Sequence, residues 1–182
     1  LDLGPAGFDD ESGFGLLSVP AALAYPTPVR DPSEPNDDLE FVKPDGFFAV
    51  GRSPLTAPGR ERASLAARLD RREDPHDVYR IWLPPKKLTT VTLRPNAEVD
   101  LTIWSAGASS VYQAPGGFRL GFSGKLRKAT EAVALPNETS RGSYAYVDAG
   151  LEGASQSATY SLLVTTKALP KPKPTPRRPA QR

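Results

Sequence analysis

The sequence predicts an all-β protein: an antiparallel, jelly-roll-like β-sandwich, preceded by an irregular segment with one short helix and followed by a disordered tail. Three observations predict this fold class. Apolar residues recur at every second position in short runs from residue 63 onward, as on one face of a β-strand. Turn-forming proline, glycine, asparagine and aspartate separate these runs. The intervals are too short for helical crossovers, so neighbouring strands should pair antiparallel.

The N-terminal part contains the one predicted helix. Ser18 can cap it, Pro20 suits its first turn because the missing N–H would have no partner there, and residues 21–24 are helix formers. Residues 1–24 are therefore predicted to form a loop followed by a short helix. Residues 25–62 are dense in proline, glycine and aspartate, which predicts an ordered but irregular connector wrapped on a neighbour.

The sandwich is predicted over residues 63–167, with seven or so short strands. Residues 168–182 alternate proline with basic side chains, which predicts a disordered or polyproline-like tail. The candidate strands are 64–69, 78–83, 89–93, 99–104, 111–112, 118–122, 132–135, 144–148 and 159–165. The predicted core consists of Leu65, Leu69, Tyr79, Ile81, Leu83, Val91, Leu93, Val99, Leu101, Ile103, Val147, Tyr160, Leu162 and Val164.

Several aromatic residues are out of phase with this core. Trp82 and Trp104 alternate with the aliphatic residues of their strands, and Tyr144 and Tyr146 can share their face. If exposed, these rings would form a binding platform for a protein or carbohydrate polymer. The connector offers the other arrangement, and we expect residues 39–60 to cover the aromatic face.

The composition excludes several classes of function. There is no cysteine, which excludes disulfides, thiolate metal sites and a cysteine nucleophile. No apolar run approaches the roughly 18 residues that a membrane span requires. Five of the 23 Lys and Arg residues lie in 171–182, which leaves 18 basic against 21 acidic residues, a net charge of −3, in the rest. The positive charge therefore belongs to the tail, and we expect no nucleic-acid partner.

The chain has few candidates for nucleophilic catalysis. A serine triad needs a nucleophile, an imidazole base and an orienting carboxylate within hydrogen-bond reach. The sole histidine is His76, in an acidic turn that leads into a strand, and Ser12 lies in a glycine-rich loop. We expect an exposed histidine and a turn serine, and no catalytic residue in this chain.

Residues 7–23, GFDDESGFGLLSVPAAL, resemble the last stretch of the catalytic domain of subtilisin-like serine peptidases. That family keeps its nucleophile upstream of this stretch in a Gly-Thr-Ser segment, and this sequence contains no Gly-Thr-Ser. The resemblance implies that residues 1–24 are the end of such a domain and that the parent protein is the endopeptidase. The matching positions are Gly7, Asp9, Ser12, Gly13, Gly15, Ala21 and Ala22.

Residues 31–166 resemble the bacterial pre-peptidase C-terminal domain, a β-sandwich often found behind secreted peptidases. Glu-Pro-Asn-Asp at 34–37 matches the opening of that domain, and Asp-Pro-His-Asp-Val-Tyr at 74–79 matches the start of one of its strands. An Asp-Leu pair at 100–101 and the closing strand at 160–164 complete the match. The resemblance implies a secreted or cell-envelope location.

The same resemblance implies a calcium site, since some members of that family bind calcium through the Glu-Pro-Asn segment and acidic residues before the following strand. Calcium takes six to eight oxygen ligands from carboxylates, amides and backbone carbonyls. The other interpretation is that these residues only form turns. The candidate ligands are Glu34, Asn36, Asp37, Asp74 and Asp77.

Together these features predict a non-catalytic C-terminal accessory region of a secreted subtilisin-like serine endopeptidase. It would aid stability, export or substrate presentation. Its expected partners are the parent catalytic domain in cis and an extracellular protein substrate, and calcium is the cofactor to be considered. The alternative is a stand-alone extracellular binding module for a protein or carbohydrate polymer, with calcium at the acidic turns.

Overall fold

The computed structural model describes residues 19–24, 33–46, 53–112, 116–126 and 129–170. The chain divides into two units, Leu1–Arg30 and Asp31–Arg182. The described part of the first unit is helix α1 (Val19–Ala24), the short helix expected from its proline and alanines. Ser18, Ser12 and most of the predicted tail, 171–182, lie outside the described residues.

The second unit is a β-sandwich, as predicted. One four-stranded sheet has the order β1-β8-β3-β6 and the other the order β2-β7-β4-β5, with every pair antiparallel. Consecutive strands alternate between the sheets, except β4 and β5, which pair with each other in one sheet. This is the arrangement of a jelly roll. The strands are β1 (Ala63–Asp70), β2 (His76–Leu83), β3 (Lys87–Pro95), β4 (Val99–Ser105), β5 (Arg119–Ser123), β6 (Glu131–Asn137), β7 (Ser143–Leu151) and β8 (Ser157–Ala168).

The core lies between the two sheets. The period-two pattern places alternate side chains on the inner face of each sheet, where they exclude water from both sides. All fourteen predicted core residues belong to this cluster, thirteen of them buried and Leu65 partly buried. The prediction of a strand at residues 111–112 was wrong, because these residues form a turn that packs on the outer face of a sheet.

The connector forms a short helix that the sequence analysis did not predict, α2 (Leu39–Val42). Asp38 caps it, with its Oδ1 accepting from Leu39 N at 2.6 Å. Leu39 and Val42 are buried against the outer face of the sheet β2-β7-β4-β5, in a cluster with Trp104 and Tyr146. The expected cover of the aromatic face is therefore confirmed for these two rings.

Trp82 and Tyr144 lie further along the same face and remain half-buried. Their ring centroids are 4.9 Å apart, in a tilted arrangement. The Arg80 guanidinium lies 4.8 Å from the centroid of the Tyr144 ring. These rings therefore pack on one another and on a cation and do not form a flat open platform.

The connector also closes the free edge of β2. Val78 N donates to the Asn36 carbonyl at 2.8 Å, and Leu55 N donates to the Arg80 carbonyl at 2.8 Å. Trp82 N donates to Thr56 Oγ1 at 2.8 Å. These bonds satisfy backbone groups that an edge strand would leave unpaired, and they fix the segment before α2 beside the start of β2.

Among the described residues, no helix combines the length and the apolar character needed to cross a membrane.

Candidate cation site

Three carboxylates converge where the connector meets the turn before β2. Glu34 and Asp37 come from the connector, and Asp74 comes from the turn that links β1 of one sheet to β2 of the other. One oxygen of each side chain lies within 4.8 Å of the other two. The turn is held by two backbone bonds, Asp70 N to Asp74 O at 2.8 Å and Asp74 N to Asp70 O at 2.9 Å. Two segments far apart in sequence thus place three acidic groups together.

The electrostatics of this group are unfavourable to three charged carboxylates. Burial raises the pKa of Asp74 to about 9, and the charges of Asp77 and Glu34 add to that rise. Asp74 Oδ1 is buried and accepts no hydrogen bond from the described residues. In the absence of a cation, Asp74 is therefore protonated at neutral pH, and a divalent cation could take the place of that proton.

Asn36 lies in the same turn but bonds elsewhere. Its Nδ2 donates to Asp77 Oδ1 at 2.5 Å, and its backbone N donates to Glu34 Oε2 at 3.1 Å. Asn36 is fully buried, and within the described part of the chain its Oδ1 accepts no hydrogen bond. A buried amide oxygen left in this way, on the residue between Glu34 and Asp37 in the connector, is a candidate fourth ligand.

Asp77 is separate from the three converging carboxylates. It is fully buried on the inner face of β2, and its Oδ2 accepts from Tyr160 Oη at 2.6 Å. Tyr160 Oη lies 2.8 Å from Tyr79 Oη. The Asp77 carboxylate therefore ties β2, β8 and the connector together, and its two oxygens already accept hydrogen bonds from Asn36 and Tyr160.

The sequence analysis placed Tyr79 and Tyr160 in the core but did not predict their hydrogen bonds in this network. A signal was present, because Asp77 is in phase with the core residues Tyr79 and Ile81, so its carboxylate had to face inward and needed donors. Asp38, in the same connector, has two roles. Besides capping α2, its Oδ1 accepts from Val111 N at 2.8 Å, which fixes the loop after β4 against the connector.

His76 is not the exposed histidine that was expected. It is the first residue of β2, its side chain is 23 % exposed, and its Nδ1 lies 2.9 Å from Asp148 Oδ1. The other Asp148 oxygen accepts from Trp104 Nε1 at 3.0 Å. Burial lowers the His76 pKa, but the hydrogen bond and charge of Asp148 outweigh it, so the pKa is raised overall. Among the described residues, the hydrogen-bond partner of this imidazole is the Asp148 carboxylate and not a serine hydroxyl.

The donors at the convergence are of one chemical kind. Glu34, Asp37 and Asp74 supply carboxylate oxygens, and the candidate fourth ligand Asn36 would add an amide oxygen, with no thiolate or imidazole among them. Hard oxygen donors of this kind match calcium better than zinc or copper. The residues present therefore fit the ion that the sequence analysis considered.

No protein-family model and no curated protein matches the sequence. Among solved structures, the chain is similar to PliG of Aeromonas hydrophila, a periplasmic inhibitor of g-type lysozyme. The two are 18 % identical, and the TM-score is 0.38 over 63 % of this chain and 96 % of that one. A similarity at this level does not indicate a shared function.

Proposed function

We propose that the sandwich is a non-catalytic, calcium-stabilised accessory domain of a secreted subtilisin-like serine endopeptidase. The observation that carries the calcium part is the convergence of Glu34, Asp37 and Asp74, with the pKa of Asp74 raised to about 9. Carboxylates held together against their own repulsion are stabilised when a cation binds.

The position of the cluster suggests what the ion does. Glu34 and Asp37 belong to the connector that covers the aromatic face and closes the β2 edge, whereas Asp74 belongs to the sandwich. An ion that binds all three would fasten the connector to the sandwich. Extracellular modules bind calcium with dissociation constants of roughly 10⁻⁴–10⁻³ M, so such a site would be filled outside the cell and empty in a calcium-poor compartment.

The peptidase part rests on the resemblance of residues 7–23 and 31–166 to consecutive parts of secreted peptidases. The parent protein would carry the catalytic triad, and its catalytic domain would be the partner in cis. Zero cysteines and a sole histidine engaged with Asp148 are consistent with an accessory role for this chain. The domain would aid stability, export or substrate presentation.

A stand-alone extracellular binding module is the second candidate, and the exposed apolar side chains of β5 favour it. Leu120 and Phe122 are exposed on β5, an edge strand of the sheet that carries the connector, and Phe118, just before β5, is exposed as well. The burial of Trp104 and Tyr146 argues against the aromatic face itself as the binding surface. Upstream sequence in the same reading frame separates the two, because only the accessory domain requires a triad there.

The calcium proposal is tested by thermal unfolding of the chain in calcium and in chelator. An ion that binds the folded state alone stabilises it by RT ln(1 + [Ca²⁺]/Kd), about 1.4 kcal/mol at a tenfold excess over Kd. We expect the melting temperature to rise by about 3–5 °C in calcium. Asp74→Asn should abolish most of the rise.

The matched control is Asp45→Asn, which removes an exposed carboxylate of the same connector outside the cluster. It should retain the full response to calcium. Identical melting curves in calcium and in chelator would contradict the proposal and leave these residues as turn formers. Magnesium at the same concentration should have a smaller effect, since it dehydrates reluctantly and demands a stricter geometry.

A further inference from the structure

The sandwich has four edge strands, and three of them are protected against pairing. The edge of β2 is closed by the connector. β6 exposes small residues and Pro136, which has no N–H to donate, and β1 exposes Ala66 and Arg68. Proteins prevent unwanted pairing at a sheet edge by covering it with another segment or by placing prolines, charges and small side chains along it.

β5 is different, because it exposes large apolar side chains. Leu120 and Phe122 are 47 % and 49 % exposed, and Phe118 and Leu126 on either side are 37 % and 79 % exposed. β5 is the last strand of its sheet, and the described residues form no backbone ladder on its outer side. An edge of this kind is a template for another strand.

The side of β5 that faces the core is held against β6 by close packing and hydrogen bonds. Gly121 faces β6 so closely that a Cβ there would lie 2.4 Å from Val133 Cγ1. Ser123 Oγ donates to the buried Glu131 carboxylate, and Lys125 N donates to Glu131 Oε1 at 3.1 Å. Gly121 and Ser123 thus anchor the strand, and the intervening Phe122, opposite Thr102, faces outward.

The described part of the β5 segment carries positive charge. Arg119 begins the strand and Lys125 follows it, and residues 101–130 contain no aspartate or glutamate. The Arg119 guanidinium lies 5.1 Å from the centroid of the Phe122 ring, so a cation sits directly beside the apolar surface. Glu131 is buried and hydrogen-bonded, and Asp100 lies at the Gly124 end of the strand.

We propose that β5 is a docking strand for an extended, acidic segment of a partner protein, which adds to the sheet β2-β7-β4-β5 as a fifth strand. Backbone pairing would supply affinity, and alternate apolar side chains of the partner would pack on Leu120 and Phe122. Acidic residues of the partner would pair with Arg119 and Lys125.

An anionic membrane would match the charge and the apolar side chains, but the edge itself disfavours it. Unpaired backbone N–H and C=O groups cannot enter the hydrocarbon region without a large free-energy cost. A polypeptide strand supplies partners for those groups, and a lipid tail does not. This interaction is independent of the cation site, since β2 and β5 are opposite edges of one sheet.

The test uses the full chain as bait for a phage-displayed library of random dodecapeptides. We expect the selected peptides to be rich in acidic and β-branched residues. A synthetic copy of the best peptide should lose binding by about tenfold or more with Leu120→Ser and Phe122→Ser. Leu23→Ser, which removes an exposed leucine of the other unit, is the control and should bind as the unchanged chain does.

Backbone pairing is tested on the unaltered protein, so the result does not depend on the folding of a variant. N-methylation of the peptide at one set of alternate amides should abolish binding, and N-methylation at the other set should leave it largely intact, because only every second N–H faces β5. Equal effects of the two sets would overturn strand addition. Peptides without acidic enrichment, or unchanged binding by both serine variants, would also overturn the proposal.

A flotation assay with vesicles containing 30 % phosphatidylglycerol examines the lipid surface. We expect the chain to stay in the unbound fraction at physiological salt. Binding to these vesicles that is lost with Phe122→Ser would overturn the peptide proposal in favour of a membrane surface.

Discussion

The Asp74 carboxyl group has a pKa raised to about 9 by burial and by its acidic neighbours, against an ordinary value of 3.8. The folded state therefore holds a proton that the unfolded state has lost between these two values. The state that binds more protons is favoured at low pH, so this group makes the folded state less stable as the pH rises through that window. Calcium reverses the effect, because the ion replaces the proton.

Because the raised pKa of Asp74 lowers the stability of the folded state as the pH rises, it predicts how the melting temperature depends on pH. In chelator, the melting temperature should fall between pH 5 and pH 9, and Asp74→Asn should flatten part of that fall. The raised pKa of His76, which burial opposes and Asp148 produces, also costs stability as the pH rises, so the variant will not remove the slope entirely. Calcium should stabilise the chain more at pH 8 than at pH 5. The same slope in Asp74→Asn and in the unchanged chain would contradict the prediction.

The strands and the core were predictable from the sequence because one physical rule determines both. Alternate side chains face the core, so Val99, Leu101 and Ile103 had to be buried together, and they are. The connector obeys no such period. Helix α2 is one turn long, and it exists because Asp38 caps it and because Leu39 and Val42 find an apolar face to cover. That reason is tertiary and cannot be read from local sequence.

The candidate cation site was predictable in part: three of its five predicted ligands converge, and Asp77 lies elsewhere. The acidic motifs identified Glu34, Asp37 and Asp74, which do converge. Asp77 belongs to the same motif but faces the core, where Tyr160 donates to it. The phase of Asp77 with Tyr79 and Ile81 already indicated this inward direction. The donor that it meets there could not be read locally, because it depends on how β8 of the other sheet packs against β2.

The seating of β5 on β6 can be tested at one glycine. Because a Cβ at position 121 would lie 2.4 Å from Val133 Cγ1, Gly121→Ala should push the strand outward. We expect a loss of about 1–3 kcal/mol in the free energy of unfolding, measured with urea. Gly117→Ala is the control, since a Cβ there meets nothing within 4 Å. Equal stability of the two variants would show that β5 is not held against β6.

In the second unit, the inner faces, the covered outer face and the β5 edge of the sandwich have different roles. The inner faces of the two sheets bury the core. The connector covers Trp104 and Tyr146 on the outer face of one sheet and closes its β2 edge, and none of the described strands pairs with the outer side of β5 at the opposite edge. The cation cluster lies at the covered side, where it would hold the connector, and the docking strand lies at the other. Stability and recognition would then be assigned to opposite edges of one sheet.

A non-catalytic chain should not react with a fluorophosphonate probe, which labels serines activated by an imidazole base. His76 and Asp148 are arranged like the base and the carboxylate of a triad, with His76 Nδ1 2.9 Å from Asp148 Oδ1. A serine beside this pair would react with the probe, so the experiment can contradict the prediction. We expect no labelling of residues 1–182 by intact mass spectrometry and no hydrolysis of casein, with an active subtilisin-type peptidase as the positive control. Stoichiometric labelling of any serine that is lost with His76→Ala would contradict the accessory function and make the His76–Asp148 pair the centre of an enzyme.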